Sequence, residues 1–180
     1  MALLPDVLLA PPVELRRSTL AHLDALLVAL EAARPELQQW MPWATPWPSA
    51  ELERAVVAAG EAQFDADASY PYFVFAGDEL VGSAELLQNE FGWGVGYWIR
   101  SDRTGQGYAT AAARALTSAA FELLGVDAVY VTMDQANLAS AAVPRKLGFT
   151  LASEQVRPIQ APGHTGRGYV WSTTRAQWTG

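Results

Sequence analysis

The 180-residue sequence has no cysteine, which excludes disulfides, thiol catalysis and thiolate metal sites. It has only two histidines, His22 and His164, with no motif joining them, so no metal site is expected. Long apolar runs are missing too. Ala109 to Ala113 and Ala119 to Leu124 are interrupted by Arg114, Thr117, Ser118 and Glu122, far short of a membrane span. The start of the chain, Met1 to Asp6, has neither the positive region nor the apolar core of a secretory leader, and a cytoplasmic protein is expected. Basic residues are outnumbered, 12 Lys and Arg against 19 Asp and Glu. The resulting net charge of -7 repels nucleic-acid phosphates and suits a basic or amine-bearing substrate. No repeat, charge run or Gly/Ser linker divides the sequence, so one domain over residues 1–180 is expected.

The chain is otherwise 51% hydrophobic and 17% charged, the balance of a globular fold with a sizeable core. After a short apolar lead, Val13 to Arg16 reads as a strand. Thr19 to Ala33 repeats leucine at helical spacing until Pro35. The segment Trp40 to Pro48 holds three prolines and three tryptophans and reads as an irregular loop, after which Ser49 caps a helix to about Asp65. Strands Tyr72 to Ala76 and Leu80 to Leu87 flank Gly77-Asp78-Glu79 as a hairpin, and Trp93 to Arg100 completes a meander. Gln106 to Leu124 is an alanine-faced helix closed by Gly125. It is followed by a strand from Ala128 to Met133, a helix from Leu138 to Leu147 and a closing strand from Tyr169 to Thr173.

Gly105-Gln106-Gly107 lies between a strand and the long helix, so its amides and the positive end of the helix converge on an anion site. Gly107 lets backbone approach a phosphate, and Ala109 does the same for the first turn. A P-loop would need Lys and Ser or Thr where Tyr108 and Ala109 stand. A dinucleotide fingerprint would open the first βαβ unit, whereas this loop follows an antiparallel meander. Downstream, Asn137 is placed to cap a helix that carries Ser140. Pro144 denies the Ser140 carbonyl its helical hydrogen bond and should bend the helix.

The loop Arg103 to Thr110, the segment Asn137 to Phe149, Gly96-Tyr97-Trp98 and Trp40-Met41-Pro42-Trp43 together resemble the GCN5-related N-acetyltransferase (GNAT) superfamily, in particular its RimJ/RimL-like branch. The resemblance implies an α/β fold of the α+β kind: a mixed, mostly antiparallel sheet of six to seven strands, flanked by helices and splayed at the acetyl-CoA site. It implies transfer of an acetyl group from acetyl-CoA to a primary amine, on a protein N-terminus or a small molecule, with homodimers frequent in the branch. Cofactor contacts are expected from Trp98, Ile99, Arg100, Gly105, Gln106, Gly107, Tyr108, Ala109, Thr110 and Asn137, with Arg103 a substitute for the Arg or Gln usual at Thr104. Asn137 reads equally well as a simple N-cap.

Ser140 stands as the group that helps the thiolate leave, because Pro144 occupies the place of the tyrosine used by many members. The branch often carries a base where this chain has Gly94. Glu85, on the neighbouring strand, is the preferred carboxylate, with Glu90, His164 and a water chain as alternatives. Trp40, Trp43 and Trp47 read either as loop packing or as a wall of the acceptor pocket. A non-catalytic acyl-CoA sensor is the second reading, and nucleotide hydrolysis or hydride transfer on the same glycine loop the third.

Overall fold

The structure, a computed structural model, describes residues 3–180. Residues 1 and 2, the start of the apolar lead, lie outside it. Eight strands form one sheet in the order β1-β2-β3-β4-β5-β6-β8-β7. In chain order they are β1 (Val7–Ala10), β2 (Val13–Arg17), β3 (Ser69–Ala76), β4 (Glu79–Asn89), β5 (Gly92–Ile99), β6 (Ala128–Asp134), β7 (Thr150–Val156) and β8 (Arg167–Thr174). Four helices flank them: α1 (Leu23–Trp40), α2 (Ala50–Asp65), α3 (Tyr108–Ala119) and α4 (Leu138–Lys146).

Side chains alternate across the sheet and so build two cores. On one face, Tyr72, Val74 and Leu86 pack with Ala112, Ala113 and Leu116 of α3. On the other, Phe73, Phe75 and Leu80 pack with Leu26, Leu30 and Leu37 of α1 and Val57 of α2. The alanines of α3 let that helix lie close to the strands, as its sequence requires. Beyond Ala119 it continues as one wide turn over Ala120–Leu124 and ends at Gly125, whose φ of 66° is the left-handed cap.

Antiparallel pairing holds everywhere except between β5 and β6. The β4/β5 ladder runs from Gly82 opposite Ile99 to Asn89 opposite Gly92, whereas β5 and β6 are parallel and meet at a single pair, Gly94 with Tyr130. Beyond that pair the strands part, and the sheet is open from Gly96 onward.

The sheet has eight strands where the sequence indicates six or seven, because β1 and β7 carry little signal. β1 is four residues of the apolar lead, and β7 is a largely exposed outer strand without an apolar alternation. Pro35 does not end α1. The helix continues to Trp40, since Leu37 prolongs the buried stripe of Leu23, Leu26, Leu30 and Ala33, and that packing outweighs the hydrogen bond the proline forfeits.

Gly82 marks the tightest approach inside the sheet: a Cβ there would strike the Trp98 carbonyl oxygen and lie 2.9 Å from the Ile99 side chain. Because the first clash is with backbone, Gly82→Ala should destabilise the fold by about 3 kcal/mol. A denaturant midpoint unchanged from the parent would contradict this packing.

Candidate functional site

The opening between β5 and β6 is where the functional side chains gather. Its floor is the loop from Arg100 to Gly107. Gly105 and Gly107 have φ of 77° and 80°, and a Cβ at either would meet nothing within 4 Å. Gly107 is the N-cap of α3 and supplies no side-chain acceptor, so the first-turn amides of Tyr108, Ala109 and Thr110 remain uncapped. These amides face a groove of about 280 Å³ lined also by Trp98, Ile99, Asn137 and Lys146. Free amides, a helix N-terminus and a lysine converge on one point, an arrangement that holds a phosphate or pyrophosphate.

Two expected contacts fall elsewhere. Arg100 does not line the groove: its guanidinium is bound to Glu79 at 2.7 Å and to Asp102 at 2.8 Å, beneath the loop. The Gln106 side chain is outside it too, accepting a hydrogen bond from the Tyr108 hydroxyl at 2.8 Å. Arg103 borders the groove but places Nε 3.0 Å and Nη2 3.1 Å from the Glu79 carboxylate. With Arg100 it holds that carboxyl below the usual range. Both arginines therefore brace the loop. Lys146 is the cation that the sequence did not single out; it sits at the end of α4, far along the chain from the glycines.

Asn137 does act as a cap, its side-chain oxygen accepting from the Ser140 amide at 3.1 Å. It nonetheless borders both the groove and a second cavity of about 410 Å³, leaving its NH2 group to donate into the opening. Ser140 is joined to Tyr97 of β5. The Tyr97 hydroxyl donates to the Ser140 carbonyl at 3.0 Å, the very carbonyl that Pro144 leaves without a helical donor, and the Ser140 hydroxyl is 3.5 Å from the Tyr97 oxygen. Burial pushes the Tyr97 phenol up to about 12, so it stays protonated near neutrality. The Gly-Tyr-Trp motif drew attention to this position only as a marker of family, since its partner lies 43 residues away.

Glu85 projects into a third cavity, of about 520 Å³, enclosed by α1, α2 and the sheet. Its neighbour across the ladder is Gly96, where a Cβ would find its closest contact at 3.9 Å, so no side chain of β5 stands directly opposite the carboxyl. Burial raises the Glu85 pKa above the ordinary carboxylate range, only partly offset by the Ser69 hydroxyl. Glu53, unremarked in the sequence, lines the same cavity and is likewise raised by burial. All three cavities share Met41 and Tyr97.

The alternatives for a base fare differently. Gly94 could not carry the carboxylate found in the branch without displacement, as a Cβ there would lie 2.5 Å from the Asn89 amide and 3.4 Å from the Tyr130 carbonyl. Glu90 is exposed and 3.6 Å from Arg157. His164 has both ring nitrogens engaged: Nδ1 lies 3.3 Å from the Gln160 amide and Nε2 3.0 Å from the Trp40 carbonyl. It pins the loop after β7 to the end of α1. His22 is structural, packed on Phe73 and Phe75. Among the described residues no group of three metal-ligating side chains occurs. No helix there is long and apolar enough to cross a membrane. Trp40 borders the groove and the second cavity, Trp43 the third, while Trp47 lies under the Arg34 guanidinium and lines none of the three.

A sheet split between two parallel strands, with an uncapped helix N-terminus at its floor, makes a slot for a ligand that carries a phosphate, as the acyl-CoA-dependent acyltransferases require. The model of the acetyltransferase (GNAT) domain family matches residues 13–150, and the chain belongs to that family. Over 86 residues it is 31% identical to YdaF of Bacillus subtilis (strain 168), a candidate ribosomal N-acetyltransferase; the match spans 48% of this chain and 47%, about half, of that protein. Among solved structures it is similar to RimL, a ribosomal L7/L12 alpha-N-protein acetyltransferase in complex with coenzyme A. The TM-score is 0.85 at 21% identity, over 93% of this chain and 97% of that one. It is similar to Mycobacterium smegmatis RimJ in complex with CoA-disulfide, with a TM-score of 0.84 at 22% identity over 97% and 88% of the two chains. The microcin C7 self-immunity acetyltransferase MccE, in complex with acetyl-CoA and AMP, matches with a TM-score of 0.85 at 15% identity over 96% and 98%.

The floor of the groove is testable by itself. Gly107→Val puts a branched side chain at φ 80° on the amides that face the groove, and should weaken coenzyme A binding at least tenfold, through strain and lost amide contact. Titration calorimetry measures it, and an unchanged dissociation constant would place the pyrophosphate elsewhere.

Proposed function

We propose that the protein is an acetyl-CoA-dependent N-acetyltransferase whose acceptor is a primary amine, on a protein N-terminus or a small molecule, and that it works in the cytoplasm. One observation carries this reading: the phosphate groove, the Ser140–Tyr97 pair and the carboxyl-lined cavity open onto one another at Met41 and Tyr97. A donor held at its pyrophosphate by Gly105 to Thr110 can lay its arm along the open edge of β5 and present its thioester at the junction. The acceptor then enters from the side of α1 and α2. The likeness to RimL, an alpha-N-protein acetyltransferase, supports a protein N-terminus as one acceptor type.

Chemistry follows from that placement. The acceptor arrives as an ammonium ion and must lose a proton before its lone pair can attack. Glu85, reached across Gly96, takes that proton directly or through a water; burial raises its pKa and so makes its carboxylate a better base than an exposed glutamate. The nitrogen adds to the thioester carbonyl, the resulting oxyanion is held by backbone amides near Ile99, and collapse breaks the carbon–sulfur bond. The thiolate takes a proton from the Ser140 hydroxyl, which recovers one from the acylated nitrogen as that nitrogen sheds its second proton, and the Tyr97 phenol keeps Ser140 in place. Products are the amide and free coenzyme A.

The measurement is thiol release from acetyl-CoA across a panel of peptides and amines. For an acceptor that is turned over, kcat/KM should rise with pH through an apparent pKa above the ordinary glutamate range, because the ionised carboxylate is the active form and burial has moved its titration upward. Glu85→Gln should remove that limb and lower kcat roughly 100-fold. An E85Q profile with the limb intact would remove Glu85 from the reaction. Tight coenzyme A binding with no acceptor-dependent release would instead identify an acyl-CoA-binding module.

A further inference from the structure

The inward stripe of α2 consists of Glu53, Val57, Gly60 and Phe64, spaced four, three and four residues apart, and all four are buried. Three of them do what that stripe requires. Glu53 does not. Its side chain, with the residue only 8% exposed, lines the cavity of about 520 Å³, and no hydrogen bond or ion pair reaches it among the described residues. Burial is the sole influence on its titration, and it raises the pKa. A carboxylate at such a position costs free energy, which water in the cavity offsets in part and a cation offsets better. The chain supplies none: neither lysine nor arginine lines this cavity, and its only other ionisable carboxyl is Glu85.

We infer that this cavity takes an acceptor bearing two cationic centres on an apolar skeleton, with Glu53 anchoring the centre that does not react. The inference rests on the transferase reading, which already occupies Glu85 with the proton of the reacting amine. That leaves Glu53 without a role in the chemistry and available to a counter-ion. The walls favour that skeleton: Leu26, Leu30, Val57, Phe73 and Trp98 give the space a mostly apolar lining, with hydrogen-bonding groups such as Ser18, Gln63 and Ser83 in the minority, so a polyhydroxylated amine would lose more hydration than it regains in hydrogen bonds. Glu53 lies in the first turn of α2, where the helix N-terminus favours retained negative charge. A free diamine and a peptide N-terminus followed by a basic side chain share this chemistry.

Titration calorimetry on the intact protein, with 1,5-diaminopentane against n-pentylamine and Ala-Lys against Ala-norleucine peptides, tests the inference in binding alone. At least one dication should bind about tenfold or more tightly than its monocation partner, roughly one ion pair's worth in a partly desolvated cavity. The pair that shows the preference distinguishes free amine from peptide. Glu53→Gln should bring the ratio close to one. Equal affinities in both pairs, or a preference that survives E53Q, would overturn the assignment. The same four compounds are then offered with acetyl-CoA. A dication preference in binding without thiol release would leave the Glu53 site standing and remove the transferase reading, whereas release without the preference would do the reverse.

Discussion

The molecule turns on a ladder that is almost absent. A sheet normally closes every gap between its strands because unpaired backbone groups are costly when buried. Here β5 and β6 share only the pair Gly94 with Tyr130. The parting is held by elements on both sides: the full β4/β5 ladder keeps β5 with the first half of the sheet, and the β6/β8 ladder keeps β6 with the second. Tyr97 then spans the opening to Ser140, fastening α4 to β5 through a carbonyl that Pro144 has released. Without that proline the carbonyl would be spent inside the helix, and the phenol would need another acceptor.

The opening in turn gives three unlike surfaces a common meeting point. On one side are uncapped amides and Lys146, suited to phosphate. On the other is a mostly apolar space with two carboxyls, Glu53 buried and Glu85 half-buried. Between them lie a hydroxyl and a protonated phenol. Charges of opposite sign are thus kept on opposite sides of Met41 and Tyr97, the arrangement that the proposed anionic donor and cationic acceptor would need. The two arginines of the loop belong to neither end. Their pairing with Glu79 and Asp102 fixes the backbone from Arg100 to Arg103, and partly exposed pairs of this kind contribute geometry more than stability.

Features that depend on local backbone chemistry were legible in the sequence. Gly125 takes the left-handed cap expected of it, Ser49 and Asn137 cap their helices, and Pro144 frees the Ser140 carbonyl. What escaped depends on distance or on weak patterning. α1 passes Pro35 because Leu37 finds a core that no local rule shows. β7 is written in mostly polar residues and is recognisable only through its ladder with β8. Glu53 reads as an ordinary first-turn acid until α2 turns it inward. Arg100 reads as a cofactor contact, whereas its guanidinium is held by Glu79 and Asp102. Trp47 reads with its two neighbours until Arg34 covers it.

A crystal structure of the protein with acetyl-CoA would test the central claim most directly. The account predicts pyrophosphate oxygens within hydrogen-bonding distance of the amides between Gly105 and Thr110, the arm lying in the gap between β5 and β6, and the thioester sulfur facing Ser140. An acetyl-CoA molecule bound with its arm outside that gap, or with its pyrophosphate away from the start of α3, would contradict it.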